Sequence, residues 1–317
     1  MKRIILLCFC LALFGAVLPA QANQEEKIFL CTTFPIFQIT RNVVGEAGPV
    51  QVQLLVSAAL GCPHDYALSP QDMRRLIRAD ALIVNGLGLE EFLGAQVRMA
   101  HPDLTVIDSS AGVKEILQYS EPGGGPGDHD DEAVDKGHDH DRHAGPNPHL
   151  FASPRQVARL AMNIAGALAK LDPAHANTYL DNGKAYALSM TRLADEMAAL
   201  GRRLANNRIV TQHGVFDYLA RDMGLEVVAV VQAHPGQDPS AAEMLDLIRT
   251  AREKKAGAVF TEPQYPSRVG QTIAREAKIA DALLDPAASG PEMAPLDYYE
   301  RVMRQNLLAL ERALGVR

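Results

Sequence analysis

Short apolar, β-branched runs alternate with segments of helical periodicity in the first third of the chain. Ser69 followed by Pro70 is typical of a helix N-cap and first position. The predicted strands are residues 27–33, 50–56, 81–85 and 105–107, and the predicted helices are residues 37–45, 70–78 and 90–99. Such alternation predicts a parallel sheet that is covered by helices on both faces.

The same alternation returns after residue 205. The predicted strands are residues 208–211, 226–231, 258–260 and 279–284, and the predicted helices are residues 216–223, 240–254, 267–277 and 295–314. Two separate blocks of strand–helix alternation predict an α/β protein with two lobes, each built on a parallel sheet.

Residues 154–203 lie between the two blocks and carry helical periodicity with no strand pattern. The periodicity is interrupted at Leu171, Asp172 and Pro173, where Asp172 is a typical N-cap and Pro173 a typical first helical residue. The second helix can run to about Arg203, roughly 45 Å at 1.5 Å per residue. We therefore predict a long, rigid linker helix at 172–204, between an N-terminal lobe at 23–171 and a C-terminal lobe at 205–317.

The first 22 residues read as a secretory signal. Lys2 and Arg3 precede an apolar run from Ile4 to Leu18, and Ala20-Gln21-Ala22 supplies a small-residue cleavage site. The run is shorter than the ~20 apolar residues that span a membrane. We expect cleavage after Ala22 and a periplasmic protein. Cleavage removes two positive charges and changes the net charge from −7 to −9, which disfavours nucleic acid and anionic membranes as partners.

Cys31 and Cys62 are the two cysteines that remain after cleavage. A disulfide between them fits an oxidising compartment. Two free thiols, or a soft metal ligand at Cys62, are the alternatives.

Residues 121–146 form a segment of low complexity. Glycine, proline and charge dominate it, and such a composition buries no core, so we expect a mobile surface loop. Its histidines are candidates for weak, secondary metal binding: His129, His138, His140 and His143.

Four residues occupy equivalent places on connecting segments. His64 and His149 each precede a predicted helix in the first lobe, while His213 and Asp285 follow predicted strands in the second. Ligand sites of open α/β sheets collect beyond the carboxyl ends of the strands. Three imidazoles and one carboxylate meeting in the cleft between the lobes would complete a tetrahedral zinc site.

Over nearly all of its mature length, the chain resembles the zinc/manganese family of substrate-binding proteins of ABC transporters. The matching stretches are residues 63–66 (PHDY) with 69–70 (SP), 85–90 (NGLGLE), 147–149 (NPH) with 153–154 (SP), 213–218 (HGVFDY) with 224–225 (GL), 239–240 (PS), 260–263 (FTEP) and 284–286 (LDP). The resemblance implies two lobes joined by a long helix and a metal site at His64, His149, His213 and Asp285.

The resemblance also implies a function. A monomeric receptor, not an enzyme, would capture Zn²⁺ and deliver it to the membrane permease of an ABC importer. Members that take manganese typically carry glutamate where this chain has His213, and the acidic, His-rich segment is similar to that of zinc-binding members. Cys62 departs from the pattern, since members more often have aspartate or a small residue there.

Two functional alternatives stand beside the zinc receptor: a manganese or other divalent-metal receptor of the same type, and a secreted zinc hydrolase. The hydrolase would need three protein ligands and a water, and the chain has no His-Glu-x-x-His motif. A passive metal buffer that works through the His-rich segment is a third interpretation.

The remaining polar candidates have less specific positions. We interpret His101 and His175 as surface residues. His234 lies where it could line the cleft, and Glu262 follows a predicted strand as a possible acceptor for a ligand imidazole. Asp65 and Asn147 could orient neighbouring ligands or serve as turn and cap residues.

Overall fold

A computed structural model describes residues 26–60, 63, 66–119, 145–232 and 237–317. In this part of the chain two parallel sheets of four strands form, in the orders β2-β1-β3-β4 and β6-β5-β7-β8. The strands are β1 (Lys27–Cys31), β2 (Val50–Leu54), β3 (Ala81–Val84), β4 (Thr105–Asp108), β5 (Arg208–Thr211), β6 (Glu226–Val230), β7 (Ala258–Thr261) and β8 (Ala280–Leu283). The predicted fold class, two parallel-sheet α/β lobes, is confirmed.

Nine α-helices accompany the sheets in the described residues. They are α1 (Phe34–Val44), α2 (Pro70–Arg78), α3 (Gly94–Ala100), α4 (Pro154–Leu171), α5 (Ala176–Arg203), α6 (Asp217–Met223), α7 (Ala241–Glu253), α8 (Arg268–Ala277) and α9 (Tyr298–Leu314). None of them is both long and apolar enough to cross a membrane.

Helix α2 begins where the sequence predicts. The Ser69 hydroxyl accepts a hydrogen bond from the Asp72 N–H at 3.2 Å, and the Asp72 carboxylate accepts one from the Ser69 N–H at 2.8 Å. This reciprocal capping box satisfies backbone donors that the first turn leaves without partners. Helix α7 begins with the same device at Ser240 and Glu243.

The prediction of a single helix over residues 90–99 is wrong. A short 3₁₀ helix, Glu91–Leu93, precedes α3, and Gly94, the first residue of α3, has a φ of +49°. A positive φ interrupts the helical hydrogen-bond ladder, and glycine adopts it with little strain.

The inner faces of both sheets share one hydrophobic core. Phe29 and Ile83 of the first sheet, Phe260 of the second, and Tyr179 and Met197 of α5 all belong to it. Smaller clusters cover the two outer faces, because side chains alternate along each strand. Helix α5 therefore packs between the lobes over its length, which agrees with a rigid linker; the predicted domain boundaries stay a prediction.

The chain turns between α4 and α5 around a buried carboxylate. Pro173–His175 form a 3₁₀ turn, and Asp172 accepts hydrogen bonds from the His175 Nδ1 at 2.8 Å and from the Tyr179 hydroxyl at 2.7 Å. The carboxylate thus fixes two side chains instead of capping backbone N–H groups. His175 is half-buried and structural, so its interpretation as a surface residue is wrong.

Direct hydrogen bonds join the lobes away from α5. Arg41 on α1 donates to the carbonyl of Ala294 at 2.5 Å, and Tyr299 on α9 donates to the carbonyl of Phe151 at 2.8 Å. Such bonds oppose a large hinge motion because each would have to break when the lobes separate.

Two helical glycines give a matched test of this packing. A methyl group at Gly201 on α5 would overlap the carbonyl oxygen of Met223, whereas one at Gly166 on α4 would meet open space. We expect Gly201→Ala to destabilise the fold by ~1–3 kcal/mol. We expect Gly166→Ala to stabilise it by about 0.5–1 kcal/mol through helix propensity. Urea unfolding of both variants measures the difference, and equal effects would contradict the close approach of α5 and α6.

Candidate metal centre

His213 lies just beyond the carboxyl end of β5, at the start of a short 3₁₀ helix, Gly214–Phe216. Its side chain is almost fully buried. The Nδ1 atom lies 2.6 Å from the Oε1 of Glu262, which directly follows β7. The two atoms are in close contact, although the N–H of Nδ1 is not aligned with the oxygen as in a regular hydrogen bond.

The contact with Glu262 assigns the tautomer of His213. A lone pair on Nδ1 would be repelled by the carboxylate at this distance, so Nδ1 carries a proton and Nε2 keeps its lone pair. Nε2 is buried and has no hydrogen-bond partner among the described residues. Leaving a buried polar nitrogen without a partner costs about 1–3 kcal/mol, and a metal ion would supply the partner.

His149 lies on the first lobe, opposite His213. It precedes the 3₁₀ helix Leu150–Ala152 and is fully buried. Its Nδ1 lies 2.9 Å from the Oδ1 of Asn147, and its backbone N–H donates to the same oxygen at 3.0 Å. Nδ1 is therefore the protonated nitrogen, and Nε2 carries the lone pair that a metal would need.

The two imidazoles meet at the interface of the lobes. Their ring centroids lie 5.3 Å apart with an interplanar angle of 80°. Tyr119 and Phe151 each pack edge-on against His149, and Tyr265 packs edge-on against His213. This aromatic surround limits the rotation of both rings and excludes water from them, and neither Tyr119 nor Tyr265 was identified from the sequence.

Asp285 follows β8 and is only partly buried. Its Oδ1 accepts a hydrogen bond from the Ala287 N–H at 2.8 Å, and its backbone is fixed by two hydrogen bonds with the Asn306 amide. Burial raises the pKa of Asp285, the hydrogen bond from Ala287 opposes the rise, and the negative charge of Glu262 adds to it. Asp285 and Glu262 follow the neighbouring parallel strands β8 and β7, so both lie at the carboxyl edge of the second sheet.

His64, the fourth predicted ligand, lies outside the described residues. The segment that leads to it approaches the chain beyond Asp285, since the Gly290 N–H donates to the Ala58 carbonyl at 2.9 Å. Within the described ranges, no group of three or more His, Cys, Asp or Glu side chains is arranged to hold a metal ion. The four-residue ligand set therefore stays a prediction.

Most of the remaining residues singled out in the sequence lie in segments that the structure does not describe. His234, Asp65 and the weak-site histidines His129, His138, His140 and His143 lie outside the described residues. His101 donates from Nδ1 to the Leu76 carbonyl at 3.2 Å, away from the site residues.

The predicted disulfide also stays a prediction, because Cys62 lies outside the described residues. Cys31, at the end of β1, is buried and forms no disulfide with any other described residue. Burial raises the pKa of this thiol to about 12, with a hydrogen bond to Thr40 opposing the rise. As a free thiol it would stay protonated and unreactive.

Glu262 offers a test of the contact with His213. We expect Glu262→Gln to weaken zinc binding by ~10–100-fold, because the neutral amide no longer strengthens the imidazole as a ligand. Glu253→Gln, at an exposed carboxylate on α7, is the control and should bind as the unmodified protein does. Isothermal titration with a competing chelator measures both, and an unchanged affinity in Glu262→Gln would contradict the role given to this contact.

The chain also matches a known protein family over both lobes. The model of the family described as ZnuA, zinc-uptake complex component A, periplasmic, matches residues 30–313. The chain belongs to this family. The match covers both lobes and all four predicted ligand positions.

Two relatives, AdcA and ZnuA, are each 28% identical to this chain. The zinc-binding protein AdcA of Streptococcus pyogenes serotype M3 is 28% identical over 328 residues, which cover 99% of this chain and 62% of AdcA. This chain thus spans about three fifths of that relative. The high-affinity zinc uptake system protein ZnuA of Bacillus subtilis is 28% identical over 299 residues, covering 93% of this chain and 90% of the relative.

The fold is also found in a solved structure of a metal complex. The SBP FpvC of Pseudomonas aeruginosa, in complex with Ni²⁺, superposes with a TM-score of 0.74 at 28% identity, covering 92% of this chain and 97% of FpvC.

Proposed function

We propose that this chain is a zinc receptor that captures Zn²⁺ outside the cytoplasm and delivers it to the permease of an ABC importer. The proposed ligands are His64, His149, His213 and Asp285, in the cleft between the lobes. The protein binds and releases its metal and is not an enzyme. We further propose that a signal peptide is cleaved after Ala22 and that the receptor acts in the periplasm as a monomer.

One observation carries the proposal. Two buried imidazoles from opposite lobes have ring centroids 5.3 Å apart, and the Nδ1 atom of each lies within 3 Å of an oxygen, Asn147 Oδ1 at 2.9 Å for His149 and Glu262 Oε1 at 2.6 Å for His213. Histidine ligands of metals characteristically use the second ring nitrogen in this way, because the acceptor fixes both ring orientation and tautomer. The AdcA relative is named a zinc-binding protein and the ZnuA relative a high-affinity zinc uptake system protein, which supports zinc as the cargo.

The chemistry of the donors favours zinc over harder cations. Imidazole nitrogen suits zinc, copper and nickel, whereas calcium and magnesium prefer oxygen ligands. Three nitrogens and one carboxylate would give zinc a closed tetrahedral site with no position left for a catalytic water.

A receptor for another divalent metal is the second candidate. FpvC, similar over 92% of this chain, is seen in complex with Ni²⁺, and Glu262 adds a carboxylate beside the proposed ligands. Imidazole ligands suit both nickel and zinc, so the ligand types do not distinguish these metals and a direct comparison of their binding is needed.

Metal titration of the purified mature protein tests the proposal. We expect one tight equivalent of Zn²⁺ in a chelator competition, with Ni²⁺ and Mn²⁺ binding more weakly under the same conditions. Tighter Ni²⁺ or Mn²⁺ binding would favour the second candidate. No stoichiometric metal binding at all would overturn both.

We also propose that residues 128–143 bind additional zinc weakly. Seven acidic residues and four histidines lie there against Lys136 and Arg142, so cations should gather. A segment of this composition has to be ordered by each metal that it binds, which lowers the affinity. Deleting 128–143 should remove weak equivalents from a zinc titration and leave the tight one, whereas loss of the tight equivalent would place a primary ligand in the segment.

A further inference from the structure

The Asn147 side chain is shared by the two lobes. Its Oδ1 accepts from the backbone N–H and the Nδ1 of His149, both in the first lobe. Its Nδ2 donates to the Gly214 carbonyl at 2.7 Å and to the Asp217 carboxylate at 3.0 Å, both in the second lobe. All four hydrogen-bonding positions of the buried amide are thus used.

The partners also fix which way the amide points. Gly214 and Asp217 present only acceptor oxygens to Asn147, so the nitrogen has to face the second lobe and the oxygen has to face His149. Gly214 is the neighbour of His213 in the chain. One amide therefore connects the ring of one proposed ligand to the peptide that follows the other.

The surroundings support this close approach. A side chain at Gly214 would crowd Asp217, Tyr119 and the Asn147 amide, at distances between 3.2 and 3.6 Å. The backbone of Asn147 is held from the second lobe as well, because the Tyr218 hydroxyl donates to its carbonyl at 2.8 Å and accepts from the Leu117 N–H at 3.1 Å.

We infer that Asn147 is a positioning residue that couples the two lobes through the metal site: its amide sets the placement of His149 relative to His213 before the metal arrives. This inference rests on the proposed function. Preorganised ligands bind more tightly because less ordering remains to be done on binding. Loosening the amide should mainly accelerate metal release, since the broken bond no longer holds the two imidazoles together.

The variant Asn147→Asp distinguishes the contact with His149, which it keeps, from the contact with the second lobe, which it removes. In Asn147→Asp the carboxylate still accepts from His149, but it has no N–H to donate to Gly214 and it faces the charge of Asp217. We expect zinc to dissociate ~10–100-fold faster, the range found when outer partners of ligands are lost. When Asp217→Asn is added to Asn147→Asp, the new amide at 217 can donate an N–H to the carboxylate at 147. This double variant should release zinc almost as slowly as the unmodified protein.

Matched variants separate positioning from general damage. Asp217→Asn alone keeps an acceptor oxygen for Asn147, and its release rate is the reference with which the double variant is compared. Tyr218→Phe removes two cross-lobe hydrogen bonds and leaves the side-chain amide of Asn147 with all of its partners, so it should change the release rate less than Asn147→Asp does. Far-ultraviolet circular dichroism and thermal unfolding of the metal-free proteins verify that each variant is folded.

Stopped-flow release of Zn²⁺ into excess chelator, together with the visible spectrum of the Co²⁺-loaded proteins, tests the inference. We expect fast release and an altered cobalt spectrum in Asn147→Asp, with recovery of both in the Asn147→Asp/Asp217→Asn double variant. Unchanged release and spectrum in Asn147→Asp would overturn the inference. A double variant as impaired as Asn147→Asp would overturn it too, because the damage would then be local to His149. An unmodified protein that binds no zinc would instead overturn the proposed function.

Discussion

Replacing His213 with alanine is expected to weaken zinc binding by about a hundredfold or more. Four-ligand protein zinc sites contribute roughly 10–16 kcal/mol at neutral pH. One ligand of four then carries on the order of 3 kcal/mol, and each 1.4 kcal/mol is about tenfold in affinity. Removal of the ring also takes the imidazole contact away from the buried Oε1 of Glu262, while Oε2 keeps its hydrogen bond from the Gln264 amide.

The control for this variant is another histidine of the chain. His101 contacts the Leu76 carbonyl on the outer side of the first lobe, so His101→Ala should keep the original affinity. Chelator competition with both variants measures the difference. Equal affinities in His213→Ala and His101→Ala would remove His213 from the ligand set.

Acidification is expected to release the metal. Protons compete with zinc for imidazole nitrogen, whose pKa is about 6.5, so each histidine ligand lowers the apparent affinity by roughly 30-fold at pH 5. Three such ligands give a loss of roughly four orders of magnitude between neutral pH and pH 5. Burial raises the pKa of Asp285, so protons begin to compete for this carboxylate at a higher pH than for an ordinary aspartate.

The slope of the logarithm of the zinc affinity against pH gives the number of histidine ligands that compete with protons. In a titration from pH 7.5 to 5, the unmodified protein should approach a loss of three protons per zinc, and His213→Ala should approach two. Constant affinity over this range would show that imidazoles do not hold the metal. An equal slope in both proteins would show that His213 is not one of them.

Much of the fold was predictable because local signals determine it. The capping box at Ser69 fixes the start of α2, and the Asp172-Pro173 pair marks the break between α4 and α5. The two blocks of alternation predict the two sheets because each apolar run is long enough for one buried strand. The interruption at Gly94 was missed since a glycine inside a helical pattern is often tolerated.

The candidate site was predictable only in part. Loops after strands point to His213 and Asp285, because strand ends of parallel sheets converge. The contacts of Asn147 with Gly214 and Asp217 depend on how the two lobes pack, and the spacing of these residues along the chain contains no sign of them. The anchoring of His175 by Asp172 was missed for the related reason that burial depends on how α4 and α5 pack.

Diffraction from zinc-loaded crystals at energies on either side of the zinc absorption edge tests the central claim most directly. The account predicts one strong anomalous peak between the lobes, about 2.0–2.1 Å from the Nε2 atoms of His149 and His213, with His64 and Asp285 completing the tetrahedron. A strong peak elsewhere, or a cleft with no peak in protein that carries one equivalent of zinc, would contradict it.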